Sequence, residues 1–334
     1  MPGLRKRGEE IRDYILANIA ENRNIAALTS ERFGISLPAV YKHMDRLASE
    51  NQITKKAGRY VIQSKQYKYV YRNDGTLSED AVWEKDIKKH FSGVPENARQ
   101  MWRHGFLAIF NNAMEHSAGE KIRVHISENR VSTSMSIVDD GIGILKNIKT
   151  KFKLVDEKDA LLELAKGKRT TDTLRHSGQG IFFTSKAFDD FMIISNGIVF
   201  GSDAGKNNRP ITEKQKYSTL VYMCLANNSN KKLKETFDEF STEIPGDFDK
   251  TIIPMHLANS TDLVSRSQAR RILSGLELFR EVILDFRNVE YIGQAFADEI
   301  FRVFTNMNPG TTITAKNANA EIQNMINRAI NTKL

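Results

Sequence analysis

Two groups of residues in this sequence have the types and spacing to do anion chemistry. In one, Asp139-Asp-Gly-Ile-Gly143 ends an alternating run and Ser177-Gly-Gln-Gly180 opens an apolar one. An ionised carboxylate such as Asp139 accepts hydrogen bonds and donates none. Gly141 and Gly143 let backbone come close to a neighbouring group without a Cβ in the way. Gly178 and Gly180 expose amides where a helix begins, and those amides together with the helix dipole favour phosphate. Lys166, Lys168 and Arg169 lie between the glycine pairs, either reaching toward such a phosphate or simply solvated. In the other group, Tyr41, Lys42, His43 and Arg46 share one face of a helix, and Lys55, Lys56 and Arg59 follow on a short ribbon. That is polar and basic chemistry aimed outward, suited to a polyanion.

Other chemistries are excluded. The seven histidines are scattered without the spacing of a zinc site, and no nucleophilic triad is visible. One cysteine, Cys224, rules out a disulfide within the chain and a cysteine-based zinc site. It lies in an apolar strand pattern, where a thiol behaves as a small hydrophobe. No apolar run approaches the ~18 residues of a membrane span. The basic start Met1-Pro-Gly-Leu-Arg-Lys-Arg7 is followed by no apolar stretch, so a secretory signal is not expected and a cytoplasmic location is. At about 150 residues per domain, 334 residues predict two or three domains. The net charge of +8 is uneven: residues 1–70 hold 13 Lys/Arg against 7 Asp/Glu, and residues 71–334 hold 36 against 34. A basic head on a nearly neutral body makes nucleic acid the first partner to consider.

Three units must position these residues. Residues 1–66 read as helices Glu9–Asn22, Ile25–Phe33 and Ser36 to about Glu50, with Gly34 ending the second and Ser36 capping the third. Leu37, Val40, Met44 and Leu47 recur at helical spacing and predict one buried stripe on the third helix. Ile53–Lys56 and Arg59–Ile62, joined by a turn at Ala57-Gly58, predict a two-stranded ribbon. The charged stretch to Glu84 reads as an irregular linker, assigned to 67–84. Residues 85–228 predict a helix Trp102–His116 and two alternating strands running into Asp139. A basic polar segment follows, then a helix Ile181–Phe188 and strands closing with Ser218–Leu225. Residues 248–334 alternate strand and helix three times, which argues a mostly parallel sheet.

The head resembles the winged helix-turn-helix family. That resemblance implies a third helix in the major groove, with Tyr41, Lys42, His43 and Arg46 facing base edges or the groove wall. Lys55, Lys56 and Arg59 would then meet phosphate. The other reading of the same pattern is a winged helix used for protein contact. In the middle unit, an Asn on a helix, Asp-x-Gly-x-Gly after a strand and Gly-x-Gly opening a later helix resemble the GHKL nucleotide-binding domain of gyrase, the heat-shock chaperone, histidine kinases and MutL. Ser177-Gly-Gln-Gly-Ile-Phe182 with Asp189-Asp190 is similar to the anti-sigma-factor kinases among them. The resemblance implies ATP and Mg²⁺ as cofactors, with Asp139 accepting from the adenine amine, Thr219 backing that carboxylate and Asn112 helping to hold Mg²⁺. His116 would lie along the same face. Where catalytic members often place a Glu or another polar residue, this chain has Ala108, and Glu115 is the one substitute nearby. The third unit resembles the STAS domain of anti-sigma-factor antagonists. Their phosphorylatable Ser falls here on Gln294 or Ala295, neither of which takes a phosphoryl group.

The expected fold is therefore an α/β multidomain chain: an N-terminal winged helix, a central α/β-sandwich of GHKL type and a C-terminal STAS-like α/β domain. The expected function is a transcriptional regulator that binds double-stranded DNA and ATP, with nucleotide state controlling conformation or dimerisation. A homodimer would match a two-fold operator, and the STAS-like unit is open to a protein partner. The alternative is an ATPase or an anti-sigma-type serine/threonine protein kinase whose winged helix grips a protein.

Overall fold

The computed structural model describes residues 2–19, 24–56, 58–168, 179–201, 218–258 and 263–331. The head consists of helices α1 (Pro2–Asn18), α2 (Ile25–Phe33) and α3 (Leu37–Ser49), followed by strands β1 (Ile53–Lys56) and β2 (Arg59–Ile62). Ile11, Ile15, Leu16 and Ile19 of the α1 segment close on Val40, Met44, Leu47 and Ile53 to form its core. Gly34 ends α2 in the left-handed conformation, φ +61°, with its amide on the Ser30 carbonyl. β1 and β2 pair antiparallel, Ile53 opposite Ile62 and Lys56 opposite Arg59. Three details differ from expectation. α1 begins at Pro2 rather than Glu9 and ends at Asn18 rather than Asn22. Ser36 precedes α3 in extended backbone but its hydroxyl makes no cap bond. Leu37 is 46% exposed, because the first residue of α3 stands outside the surface that α1 covers.

The stretch expected to be a linker is a strand. Lys65–Arg72 forms β3, which pairs residue for residue with β4 (Lys121–Glu128) from Lys65↔Glu128 to Arg72↔Lys121. Its Tyr67, Tyr69 and Tyr71 pack on the body's core while Lys68, Val70 and Arg72 stay exposed. This is period-two burial with long polar side chains outward. After β3 come α4 (Glu79–Val82), a π-helical turn Trp83–Ile87 and α5 (Glu96–His116), which starts six residues before the expected Trp102. Next are β4, β5 (Ser132–Asp139), α6 (Ile144–Lys151), α7 (Glu157–Lys166), α8 (Gln179–Ala187), β6 (Asp190–Ser195), β7 (Ile198–Gly201), β8 (Thr219–Ala226) and α9 (Leu233–Asp238). The segment read from the sequence as basic and polar holds two helices, which bury Leu145, Ile148, Ala160 and Leu161 against each other. The sheet order is β3-β4-β5-β8-β6-β7, with every pairing antiparallel. Phe106, Ile109 and Phe110 of α5 cover one face of it.

The third unit runs β9 (Lys250–Pro254), α10 (Arg266–Leu273), β10 (Glu281–Asp285), α11 (Gln294–Asp298), α12 (Thr305–Met307), β11 (Thr312–Lys316) and α13 (Ala320–Asn331). π-helical turns over Glu299–Phe304 make α11 and α12 one continuous rod. As the alternating pattern predicted, the strands are parallel, in the order β11-β10-β9. α10 ends at Leu273 rather than Leu278, broken by Gly275 at φ +84° and followed by a 3₁₀ turn, Leu276–Leu278.

Neither junction is a loose tether. Val131, in the β4–β5 turn, packs on the head core. Beside it Arg130 lies 3.2 Å from Asp13 of α1 and donates to Gln52 at 3.2 Å. Leu162 of α7 and Phe182 and Phe183 of α8 belong to the hydrophobic core of the third unit. A strand and a linker separate in amide exchange. Every second backbone amide of Lys65–Arg72 should exchange far more slowly than a solvated chain does, because an edge strand bonds its neighbour with alternate groups. Uniformly fast exchange there would refute the pairing with β4.

Candidate functional site

Asp139 is the last residue of β5 and stands directly opposite Thr219, the first residue of β8. It is 5% exposed. One carboxylate oxygen accepts from the Gly141 amide at 3.0 Å, and the Thr219 hydroxyl donates to the carboxylate as well. Thr219 Oγ1 in turn accepts from the Ile144 amide at 3.0 Å, which directs its own proton toward Asp139. Burial pushes the Asp139 pKa up to about 6; the two hydrogen bonds pull it down and the neighbouring Asp140 charge raises it. Asp140 itself acts on β4. Its Oδ1 accepts from the amides of Glu120 and Lys121, each at 2.9 Å, and so pins the start of that strand.

The glycines beside Asp139 serve chain packing. A Cβ on Gly141 would collide with the Ser117 carbonyl, so the bare Cα meets the end of α5 rather than an open cleft. Gly143 has φ +89°, a conformation only glycine adopts cheaply, and its Cβ would lie 2.7 Å from the Asn196 amide. It caps α6, whose first amides are already taken: Ile144 by Thr219 and Leu145 by Ser195 at 3.3 Å. Ser195 and Asn147 are site residues that sequence reasoning missed. Asn147, buried on α6, donates to the His116 carbonyl at 3.0 Å and so joins the end of α5 to α6. Nothing in the local sequence announces either one, because strand register and helix packing bring them there.

On α5, Asn112 donates to the Ala108 carbonyl at 2.7 Å, which leaves its side-chain oxygen as the acceptor. Glu115 is on the exposed side of the helix, and His116 is half-buried where the helix ends. Gly180 lies in the first turn of α8 against Ala108; a Cβ on Gly180 would be 3.1 Å from that of Ala108. The two helices therefore cross closely at Ala108 and Gly180. Gly178 and Arg169 lie outside the described residues. Lys166 and Lys168, expected on phosphate or in solvent, are bonded within the protein, Lys168 keeping part of its surface in solvent. Lys166 is 1% exposed, in an ion pair with Glu163 at 2.7 Å. Lys168 donates to the Leu278 carbonyl at 2.7 Å. Both are turned to the third unit.

On the head, Tyr41, Lys42, Arg46, Lys55, Lys56 and Arg59 are all exposed, as their positions predicted. Arg46 pairs with Glu50 at 2.9 Å. Lys55 stands 5.7 Å from the centroid of the Tyr60 ring across the ribbon. His43 is half-buried, and its pKa is held below the ordinary value by burial and then by the Arg12 and Arg46 charges. Arg12, which the sequence pattern did not single out, is buried beneath this face, with its Nε lacking a hydrogen-bond partner.

The fold is mixed α/β, and residues 268–323, from α10 into α13, match the family described as a STAS-like domain of unknown function (DUF4325). No curated protein and no solved structure matches the chain. Among the described residues there is no cluster of three or more His, Cys, Asp or Glu arranged to hold a metal ion. No helix there is long and apolar enough to cross a membrane.

The raised pKa of Asp139 makes the site costly. The folded chain keeps that proton up to about pH 6, whereas an unfolded Asp releases it near 3.8. Between those values the folded state binds more protons, so stability falls as pH rises from about 4 to 6. Two pKa units correspond to about 3 kcal/mol. Asp139→Asn should therefore be more stable than the parent by up to about 3 kcal/mol at pH 7, and the gap should close near pH 4. Urea unfolding at the two pH values checks this; a pH-independent gap would show that Asp139 titrates normally.

Proposed function

We propose that the protein is a DNA-binding regulator that responds to ATP. The observation that carries the nucleotide half is Asp139: a buried carboxylate, ionised at pH 7, oriented by a backbone amide and a threonine hydroxyl. A protein that bears the cost of such a group has an acceptor set for a donor such as the exocyclic amine of adenine. Thr219 would back that contact. Asn112, with its side-chain oxygen left as acceptor, suits Mg²⁺ in company with substrate phosphates, since that hard ion takes oxygen ligands. The phosphates themselves would rely on the segment opening at α8, because the first amides of α6 are already bonded. Lys168, bonded to the Leu278 carbonyl, would not meet phosphate in this arrangement.

The DNA half rests on the exposed cations of α3 and of the β1–β2 ribbon, gathered on a three-helix head with its own core. This arrangement suits a winged helix whose third helix enters the major groove and whose ribbon meets phosphate. A cytoplasmic homodimer with two heads would read a two-fold operator. The STAS-like unit would report nucleotide state, or the presence of a protein partner, to the remainder of the chain. The enzyme reading, ATPase or protein kinase, is disfavoured at Ala108, since a longer polar side chain there would have to grow against α8 at Gly180.

Two measurements test the halves separately. Titration calorimetry should find ATP binding weakened about ten- to a hundred-fold in Asp139→Asn, the loss of one hydrogen bond to a charged acceptor, roughly 1.5–3 kcal/mol; unchanged affinity removes Asp139 from the adenine role. Duplex binding should weaken steeply with salt, and Lys55→Ala with Lys56→Ala should flatten the log–log slope by about two per protomer. Absence of duplex binding at low salt in every nucleotide state would favour a protein partner for the head.

A further inference from the structure

Lys166 and Lys168 lie in the stretch that joins the two glycine-bearing segments, yet the third unit holds both. Lys166 Nζ donates to the Ser274 carbonyl at 2.9 Å and to the Arg271 carbonyl at 3.4 Å, besides its Glu163 partner. Those carbonyls end α10, where helix geometry leaves acceptors unfilled and the dipole favours a cation. The Thr251 hydroxyl of β9 donates to the Lys166 carbonyl at 3.1 Å, and Arg271 lies 3.5 Å from Asp159 of α7. One helix of the body is thereby fastened to a strand and a helix of the third unit. Bonded through both its ammonium and its carbonyl, and almost without exposure, Lys166 is an anchor.

Lys168 is held differently. It follows Gly167, whose φ of +82° and absent Cβ admit the Phe182 ring. Its ammonium meets one neutral carbonyl, that of Leu278, and the face of Phe279, 5.0 Å from the centroid. Burial lowers its pKa, against the opposing pull of the Asp247 and Asp249 carboxylates nearby; it makes one hydrogen bond where Lys166 makes three, and the side chain keeps part of its surface in solvent. A neutral carbonyl is a weaker acceptor for an ammonium than a phosphate oxygen is. Lys168 is therefore the exchangeable member of the pair, tethered two residues from a fixed one.

We propose that the third unit competes with a bound triphosphate for Lys168: docked on α7 it withholds the ammonium, and loosening that grip raises affinity for ATP. This rests on the nucleotide reading given above. Linkage makes the effect mutual, so ATP weakens the docking of the third unit by the same factor. A protein partner that draws the third unit off α7 would then act as an activator of nucleotide binding.

The test is calorimetric titration of ATP, and separately of adenosine, into the full chain and three variants. Lys168→Met alone should leave ATP affinity within about twofold, because the ammonium is not on phosphate in the docked state. Lys166→Met should raise ATP affinity by about tenfold, the worth of one hydrogen bond to a charged group, and leave adenosine affinity unchanged. Adding Lys168→Met to Lys166→Met should abolish the gain. Phe279→Leu keeps the apolar contact but removes the ring face; should Lys166→Met fail to fold, this variant should show the same ATP-specific gain at reduced size. As an independent readout, ATP should speed amide exchange in the last turn of α10 and in β9 of the unmodified protein. A tenfold loss with Lys168→Met alone, a gain shared by adenosine, or unaltered exchange in α10 and β9 would overturn the competition. Failure of every form to bind ATP would overturn it together with the nucleotide reading, whereas binding without the double-variant pattern overturns the competition alone.

Discussion

One cross-strand pair organises the centre of this molecule. Placing Asp139 opposite Thr219 at the ends of β5 and β8 buries a carboxylate that only neighbouring donors make tolerable. The donors come from the pairing itself: the Thr219 hydroxyl, and the Gly141 amide where the chain turns. The turn can be that tight only because Gly141 has no Cβ to strike Ser117 at the end of α5. Thr219 then orders the start of α6 through Ile144, and Asn147 on α6 ties back to His116. A one-residue slip of β8 would send the Thr219 side chain to the other face of the sheet. The carboxylate, the turn, α5 and α6 would lose their common reference together.

The same economy of contact joins the body to the third unit. Phe182 and Phe183 of α8 meet Phe248 with centroids 4.7 and 4.9 Å apart, and Phe248 meets Phe279 at 5.3 Å. Burying a phenylalanine is worth about 1.5–3 kcal/mol, and here the burial belongs to both units at once. Polar groups then select the geometry. Lys166 must find the end of α10, since its buried ammonium carries donors beyond the one that Glu163 accepts. Apolar area holds the third unit on, and the lysine specifies how it sits.

The head is attached more lightly, through Val131 and the pairs that Arg130 makes with Asp13 and Gln52. Exposed ion pairs of this kind contribute little, about 0–1 kcal/mol. The head thus holds its own core and, among the described residues, meets the body mainly at the β4–β5 turn.

Periodicity in the sequence was enough to predict most elements: the three helices and ribbon of the head, the strand that ends at Asp139 and the one that begins at Thr219, and the parallel strand–helix alternation of the third unit. Those elements rest on local pattern, on which apolar spacing and turn glycines act directly. β3 was legible in Tyr67, Tyr69 and Tyr71 but was masked by the lysines and arginine between them, which an edge strand carries on its solvent face. Exposure of the basic residues on α3 and the ribbon was also readable, because an amphipathic helix declares its outer face once its inner one is known. Leu37 escaped the stripe because burial at a helix end depends on what its neighbours reach. What only tertiary structure decided was the use of the polar residues. The sequence could not show that Gly141 yields to Ser117 rather than to a ligand, that Ser195 and Thr219 fill the start of α6, or that Lys166 and Lys168 face the third unit. Each of those depends on contacts between segments far apart in the chain, and a lysine's sequence neighbours do not say whether it ends in water, on an anion or beneath another domain.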